Sequence, residues 1–289
     1  MPAPTDALVP AAPPPRAVRL GTQGWNYAGW VGPFYPTGTR PADFLATYAR
    51  AFPSVEVDST FYAVPPERTV LGWAERTPPE FRFALKLPQA VTHEARLRGA
   101  DEILAEFFDR VRLLGPKLGP VLAQLGPDFG PDELPALRAF LPRLPRDVPV
   151  AVEFRQRGWF TEEVLALLAD HGVAPALSDG RWVPRRWLLA LAEQYAERTS
   201  APFAYVRWMG PDRALTDFSR VQVDRSNELD VWGRTLAALA SATSGVREVS
   251  GYVSNYFSGH APADVRELQV RLGQRPVDPE RLGDQLTLL

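Results

Sequence analysis

Cysteine is absent from the 289 residues, which excludes disulfides, thiolate zinc sites, iron–sulfur clusters and a cysteine nucleophile. Histidine is scarce, with three residues, His93, His171 and His260, so an imidazole-rich metal centre has little to draw on. An excess of either charge is missing too: 32 Lys and Arg against 34 Asp and Glu leave a net charge of −2. That balance gives no bulk attraction to phosphate backbones, so nucleic-acid contact would need a local basic patch. No apolar run approaches the ~18 residues of a membrane span. The N-terminus has no cationic stretch followed by an apolar one, the mark of a signal peptide. The chain is therefore expected to be cytoplasmic, with no membrane partner.

What is present is alternation. Residues 1–16 (MPAPTDALVPAAPPPR) are rich in Pro and Ala without hydrophobic period and read as a flexible tail. Short apolar runs then alternate with segments of helical period. The strand candidates are Ala17–Gly21, Val55–Ser59, Arg82–Leu87, Val121–Leu125, Val150–Phe154, Ala174–Ser178, Phe203–Trp208 and Val249–Ser254. Helices are expected at Asp43–Phe52, after Asp101 with Gly115 at the end, after Pro131, after Thr161, and across Arg185–Glu197, Leu229–Ala242 and Ala263–Leu272. Parallel neighbours need a crossover helix, and eight such units close into a single (β/α)₈ barrel of α/β class over residues 17–273. An open doubly wound sheet is the rival, but residues 21–25 (GTQGW) lack dinucleotide-loop spacing.

Barrel active sites are built at the strand C-termini. Here those ends carry Gln23, Trp25 and Tyr27; Glu56, Asp58 and Tyr62; Lys86, followed by His93; Gln124; Glu153 and Arg155; Asp179; Tyr205, Arg207 and Trp208; and Asn255 with His260. Charges inside apolar strands are costly unless paired or solvated in a cavity. One reading is a structural ion-pair network, with Glu56 its deepest member. The other is a pocket in which Lys86, Arg155 and Arg207 hold an anion while Glu153, Asp179 or Lys86 moves protons. Trp25, Tyr27, Tyr62, Gln124, Trp208, Asn255 and His260 would then contact the substrate. Carboxylates alone could hold a divalent metal, against which the interleaved cations argue. No cofactor is otherwise indicated.

Several of these segments occur as an ordered set: GTQGWNYAGW (21–30), GPFYP (32–36), VEVDSTFY (55–62), FALK (83–86), VTH (91–93), EFR (153–155) and GHA (259–261). The set resembles the DUF72 (YecE-like) family from about residue 18 to about 270. The resemblance implies a TIM-like barrel and no defined activity, and it carries Trp25, Glu56, Lys86, Glu153, Arg155 and Asn255 as site positions. Asp58 stands where that family usually has asparagine, Gln156 where histidine commonly follows the arginine, and Ser254 where the first of two asparagines is expected.

Beyond residue 273 the chain reads as a C-terminal tail (274–289) ending in Gln285–Leu289 (QLTLL), which resembles the peptide that docks bacterial proteins on the replication sliding clamp. Three functions stay open. The first is an enzyme acting on a small or terminal anionic substrate by hydrolysis or acid/base chemistry. The second is a nucleic-acid-processing factor with Arg181, Arg185 and Arg186 at its rim. The third is a non-catalytic ligand-binding barrel.

Overall fold

A computed structural model describes residues 17–197, 203–241 and 244–283. The N-terminal segment 1–16 and the QLTLL sequence lie outside the described residues. Among the described residues, eight parallel strands form one sheet in the order β1-β8-β7-β6-β5-β4-β3-β2, a nearly closed barrel with helices between the strands. The strands are β1 (Ala17–Thr22), β2 (Ser54–Val57), β3 (Arg82–Lys86), β4 (Leu118–Gln124), β5 (Val150–Glu153), β6 (Ala174–Gly180), β7 (Phe203–Gly210) and β8 (Glu248–Val253). The helices are α1 (Phe44–Ala51), α2 (Glu67–Glu75), α3 (Asp101–Val111), α4 (Leu134–Phe140), α5 (Glu162–Asp170), α6 (Arg185–Glu197), α7 (Ser226–Leu239), α8 (Asn255–Ser258) and α9 (Ala261–Arg271).

The helices form where apolar residues recur on one face. In α3, Leu104, Phe107, Phe108 and Val111 are buried, and the chain turns out of the helix through Gly115 at φ 54°. In α5, the Thr161 side chain accepts a hydrogen bond from the Val164 N–H, 3.3 Å away, and caps the helix. Helix α2, which buries Val70 and Trp73, is not among the helices expected from the sequence. Residues 274–283 do not leave the barrel: the Gln274 amide donates to the Val18 carbonyl at 2.9 Å, and Leu282 is buried.

The barrel's seam lies between β1 and β2, where the ladder shrinks to a single Gln23–Glu56 bridge. A tyrosine replaces the missing backbone pairing. The Tyr48 hydroxyl accepts from the Thr22 N–H at 2.8 Å and donates to the Ser54 carbonyl at 2.9 Å. Gly21 permits this approach, since an added methyl there would stand 1.9 Å from the Ser54 oxygen. Between β5 and β6 the pairing covers only Ala151–Ala174 and Val152–Pro175. Pro175 has no N–H to continue the ladder, so beyond it the two strands are free to part.

Tyr48→Phe should leave a buried N–H and a buried carbonyl without partners. A loss of about 2–4 kcal/mol in urea unfolding is expected; a loss below about 0.5 kcal/mol would show that the seam is held otherwise.

Candidate functional site

Period two along β2, β5 and β7 turns Glu56, Glu153, Tyr205 and Arg207 into the barrel interior. Arg207 is completely buried and reaches three other strands. Its Nε and Nη2 donate to Glu56 at 2.9 and 2.7 Å, and its Nη1 donates to Gln124 at 3.2 Å and Glu153 at 2.6 Å. The Tyr205 hydroxyl adds a bond to Glu56 at 2.7 Å, and Ser178 one to Glu153 at 2.5 Å. Burial opposes ionisation of Glu153, but Arg207 and then Arg155 outweigh it and hold the carboxyl at about 2. Glu153 is therefore an anion throughout the physiological range and too weak a base to move protons near pH 7.

Above this layer, Lys86 at the end of β3 faces Asp58 at 3.5 Å, with its ammonium 4.6 Å from the Phe61 ring centre. Burial lowers the Lys86 pKa, and Asp58 opposes that shift. Arg155 follows β5, with its Nε 3.5 Å from Glu153. Among the described residues its terminal nitrogens donate no hydrogen bond. Arg155 lines a small cleft, with a cavity volume of about 90 Å³, where β5, β6 and β7 end; Ser178, Arg181, Trp182, Asp212, Arg213 and Tyr256 are among its other lining residues. The Arg155 and Arg181 guanidiniums lie 5.5 and 4.3 Å from the Trp182 ring centre, and Arg213 lies 5.7 Å from that of Tyr256. Gly210, at φ +76°, lets β7 turn against the Tyr256 carbonyl, which a side chain would meet at 2.0 Å.

The structure thus gathers Lys86, Gln124, Glu153, Arg155 and Arg207 around one mouth, with Asp58 and Glu56. It separates others. Asp179, expected as an acid/base group, lies on the outward face of β6; it accepts from Trp232 Nε1 and Arg185 Nε, both at 2.6 Å. Its neighbour Ser178 takes the inward position. Trp208 likewise points outward, against Trp232 and over Gly251. Arg207, expected to hold substrate, is used up by Glu56, Gln124 and Glu153. With Asp179 removed, the mouth holds three carboxylates (Glu56, Asp58, Glu153) and three cations (Lys86, Arg155, Arg207).

The aromatic and amide residues divide similarly. Tyr62 is 73% exposed, and Trp25 sits edge-on to Trp73 of α2. Tyr27 donates to the Gln23 carbonyl at 3.0 Å beside the mouth, and burial, then Asp58, push its hydroxyl pKa up. Asn255 accepts from Trp30 Nε1 and the Ala261 N–H, both at 3.1 Å. His260 is pinned to the Phe218 carbonyl at 2.8 Å. These last two fasten loops, although the buried Asn255 Nδ2 has no hydrogen-bond partner among the described residues. Arg185, one of the rim cations considered for nucleic acid, is tied to Asp179. The sequence pattern did not single out Ser178, Trp182 or Arg213 as site residues, whereas Tyr256 stood among the strand-end residues after β8. The adjacent Arg181–Trp182 pair just past β6 was the available signal. Among the described residues, no group of three His, Asp or Glu side chains is placed to hold a metal ion, and no helix is long and apolar enough to cross a membrane.

The DUF72 family, described as a protein of unknown function, matches residues 19–285. The chain belongs to this family. It is 37% identical over 169 residues to the UPF0759 protein YecE of Escherichia coli K12, covering 57% of this chain and 60% of that protein. With the UPF0759 protein YunF of Bacillus subtilis 168 the identity is 32% over 173 residues, covering 56% and 60%. The aligned stretch therefore spans about 60% of the length of these curated relatives. A DUF72 crystal structure from Thermotoga maritima shares the fold at a TM-score of 0.72 and 24% identity, covering 89% of this chain and 100% of that one. One from Enterococcus faecalis V583 gives 0.68 at 19%, covering 90% and 99%. None of these names states a reaction, so the chemistry of this DUF72 barrel has to come from its own residues.

Arg207→Met should leave Glu56 without its guanidinium partner and Glu153 with Arg155 alone, and cost about 3–5 kcal/mol at pH 7. Adding Glu56→Gln and Glu153→Gln should restore part of that in chemical denaturation; no restoration would refute the pairing. A pH dependence of stability is expected from α9. Asp264 in α9 is buried, accepts from Ser258 at 2.5 Å, and is raised by that burial from 3.8 to about 7. A carboxyl raised in the folded state holds its proton more tightly there than when unfolded. Its contribution is thus complete below the unfolded value and is lost as pH rises through about 7. Asp264→Asn should remove up to about 4 kcal/mol of destabilisation between pH 5 and 8, measured as a flatter stability–pH profile.

Proposed function

We propose that this DUF72 barrel takes a small molecule by an anionic end, a carboxylate or a phosphate ester, and performs proton-transfer chemistry on it at the strand ends. The carrying observation is the contrast between two arginines. Arg207 has its guanidinium spent on Glu56, Gln124 and Glu153, whereas Arg155, a partly buried cation that lines the cleft, donates no hydrogen bond from its terminal nitrogens among the described residues. A planar guanidinium held at Nε and open at its end matches the two oxygens of a carboxylate or phosphate. Arg181 and Arg213 line the same cleft, where Asp212 is the one carboxylate not already paired with a guanidinium. Trp182, 38% exposed, gives the cleft an apolar wall.

Partial burial strengthens this site. Removing a charge from water makes each interaction it forms stronger, and Arg155 carries a pKa lowered by burial, which Glu153 only partly offsets. An incoming anion relieves that cost. Sequestered Lys86 adds a second positive charge on the β3 side of the mouth.

Titration calorimetry with inorganic phosphate and with sulfate should give binding that Arg155→Ala weakens about 10- to 100-fold, the worth of one charge-assisted hydrogen-bonding group. Equal affinity in the variant, or no binding to the parent chain, would overturn the reading.

A further inference from the structure

We propose that the anionic end taken by this cleft is the terminal phosphate of a phosphate monoester, gripped by three guanidiniums, those of Arg155, Arg181 and Arg213. This rests on the reading above and names its ligand class, choosing the phosphate over the carboxylate that Arg155 alone would also suit.

The three cations come from three neighbouring strand ends. Arg155 follows β5, Arg181 follows β6 and Arg213 follows β7, and all three line the same cleft. β6 and β7 stop on facing glycines, Gly180 opposite Gly210, which also line it and present only backbone there. Arg181 is the next residue along one strand, and Arg213 stands three residues along the other.

All three cations keep donors in hand. Arg155 and Arg181 share the Trp182 ring, and Arg213 lies near that of Tyr256. A ring contact of this kind uses the charge of a guanidinium and leaves its N–H groups for another partner. Among the described residues, neither Arg181 nor Arg213 donates a side-chain hydrogen bond or forms an ion pair. The two carboxylates of the cleft do not claim them. Glu153 is bonded to Arg207, Ser178 and Arg155. Asp212 accepts the Ala214 N–H at 2.9 Å, which fixes the turn that carries Arg213. Like charges gathered without a partner repel: burial, then Arg207 and Arg181, lower the Arg155 pKa against the pull of Glu153. An anion among them removes that repulsion.

The number of donors selects the anion. One bidentate fork satisfies a carboxylate, and two further guanidiniums beside it would stay unmatched. A phosphate monoester presents three terminal oxygens and, near pH 7, close to two negative charges. Each arginine then has an oxygen. Size keeps the rest of the ligand outside. Pockets that enclose a whole small molecule hold roughly 300–1,000 Å³, and this one holds about 90 Å³. It admits the phosphoryl head, with the ester oxygen leading out past the exposed Trp182. Loops after the seventh and eighth strands are also where (β/α)₈ barrels commonly seat phosphate groups; here they supply Arg213 and Tyr256.

At pH 8 three anions separate the possibilities in titration calorimetry on the full chain. Methyl phosphate is a dianion with three terminal oxygens, dimethyl phosphate a monoanion with two, and acetate a carboxylate. Methyl phosphate should bind about 10- to 100-fold tighter than the other two. Arg181→Ala and Arg213→Ala should each weaken methyl phosphate about tenfold and acetate far less. Arg181→Lys, which keeps the charge and loses the fork, should restore only part. Both arginines are exposed and unbonded, so alanine there leaves folding intact. Arg157→Ala removes an exposed cation that does not line the cleft and should change nothing.

Suppose Arg155→Ala weakens binding, but methyl phosphate and acetate bind alike, or either Arg181→Ala or Arg213→Ala leaves methyl phosphate unchanged. This inference then fails and the site of Arg155 stands. It fails equally if Arg157→Ala costs as much as the other two, since the surface field alone would then account for them. If no anion binds, or all bind equally to Arg155→Ala, both readings fall.

Discussion

One guanidinium organises the upper half of this barrel. Arg207 projects from β7 and ends on side chains of β2, β4 and β5. Barrel interiors are ordinarily filled by branched apolar side chains. Here a buried cation with two carboxylates takes that place, an arrangement whose net worth depends on every donor and acceptor being met. The geometry meets that demand through Tyr205, Gln124 and Ser178. Because the four strands are cross-linked through one residue, the carboxylate of Glu153 has its position and its charge fixed. Arg155, two residues on, is set against it with its outer nitrogens left over.

That surplus is what gives this DUF72 chain a plausible chemistry. The family name supplies no reaction, and the structural relatives are too distant to supply more than the fold. What remains is an uneven distribution of satisfied and unsatisfied polar groups. Asp179 and His260 look reactive in one dimension but are spent on Trp232 and Phe218 in three. Arg155 keeps capacity at the mouth.

The barrel was legible in the sequence because parallel strands and amphipathic helices leave short-range signatures: eight apolar runs, and caps such as Thr161. The pairing of Glu153 with Arg155 on one face followed from period two. The same rule, applied more strictly, would have turned Trp208 away from the side of Arg207. Asp179 was misplaced because β6 was ended at Ser178, which made the next residue look like a loop position rather than an outward strand position. The different fates of Arg155 and Arg207 were not legible at all. Both are strand-end arginines, and what separates them is which residues lie across the barrel, some 50 to 150 positions away in the chain.

The seam between β1 and β2 bears on how the chain folds. Residues Ala17–Thr22 find their ladder only on β8, with Ala17 opposite Glu248 and Thr22 opposite Val253. The first strand to leave the ribosome thus waits for the last one made, and its edge is unprotected throughout synthesis. Closure of the ring is a late, long-range event, and until it happens the mouth that holds Arg155 has no wall on the β1 side.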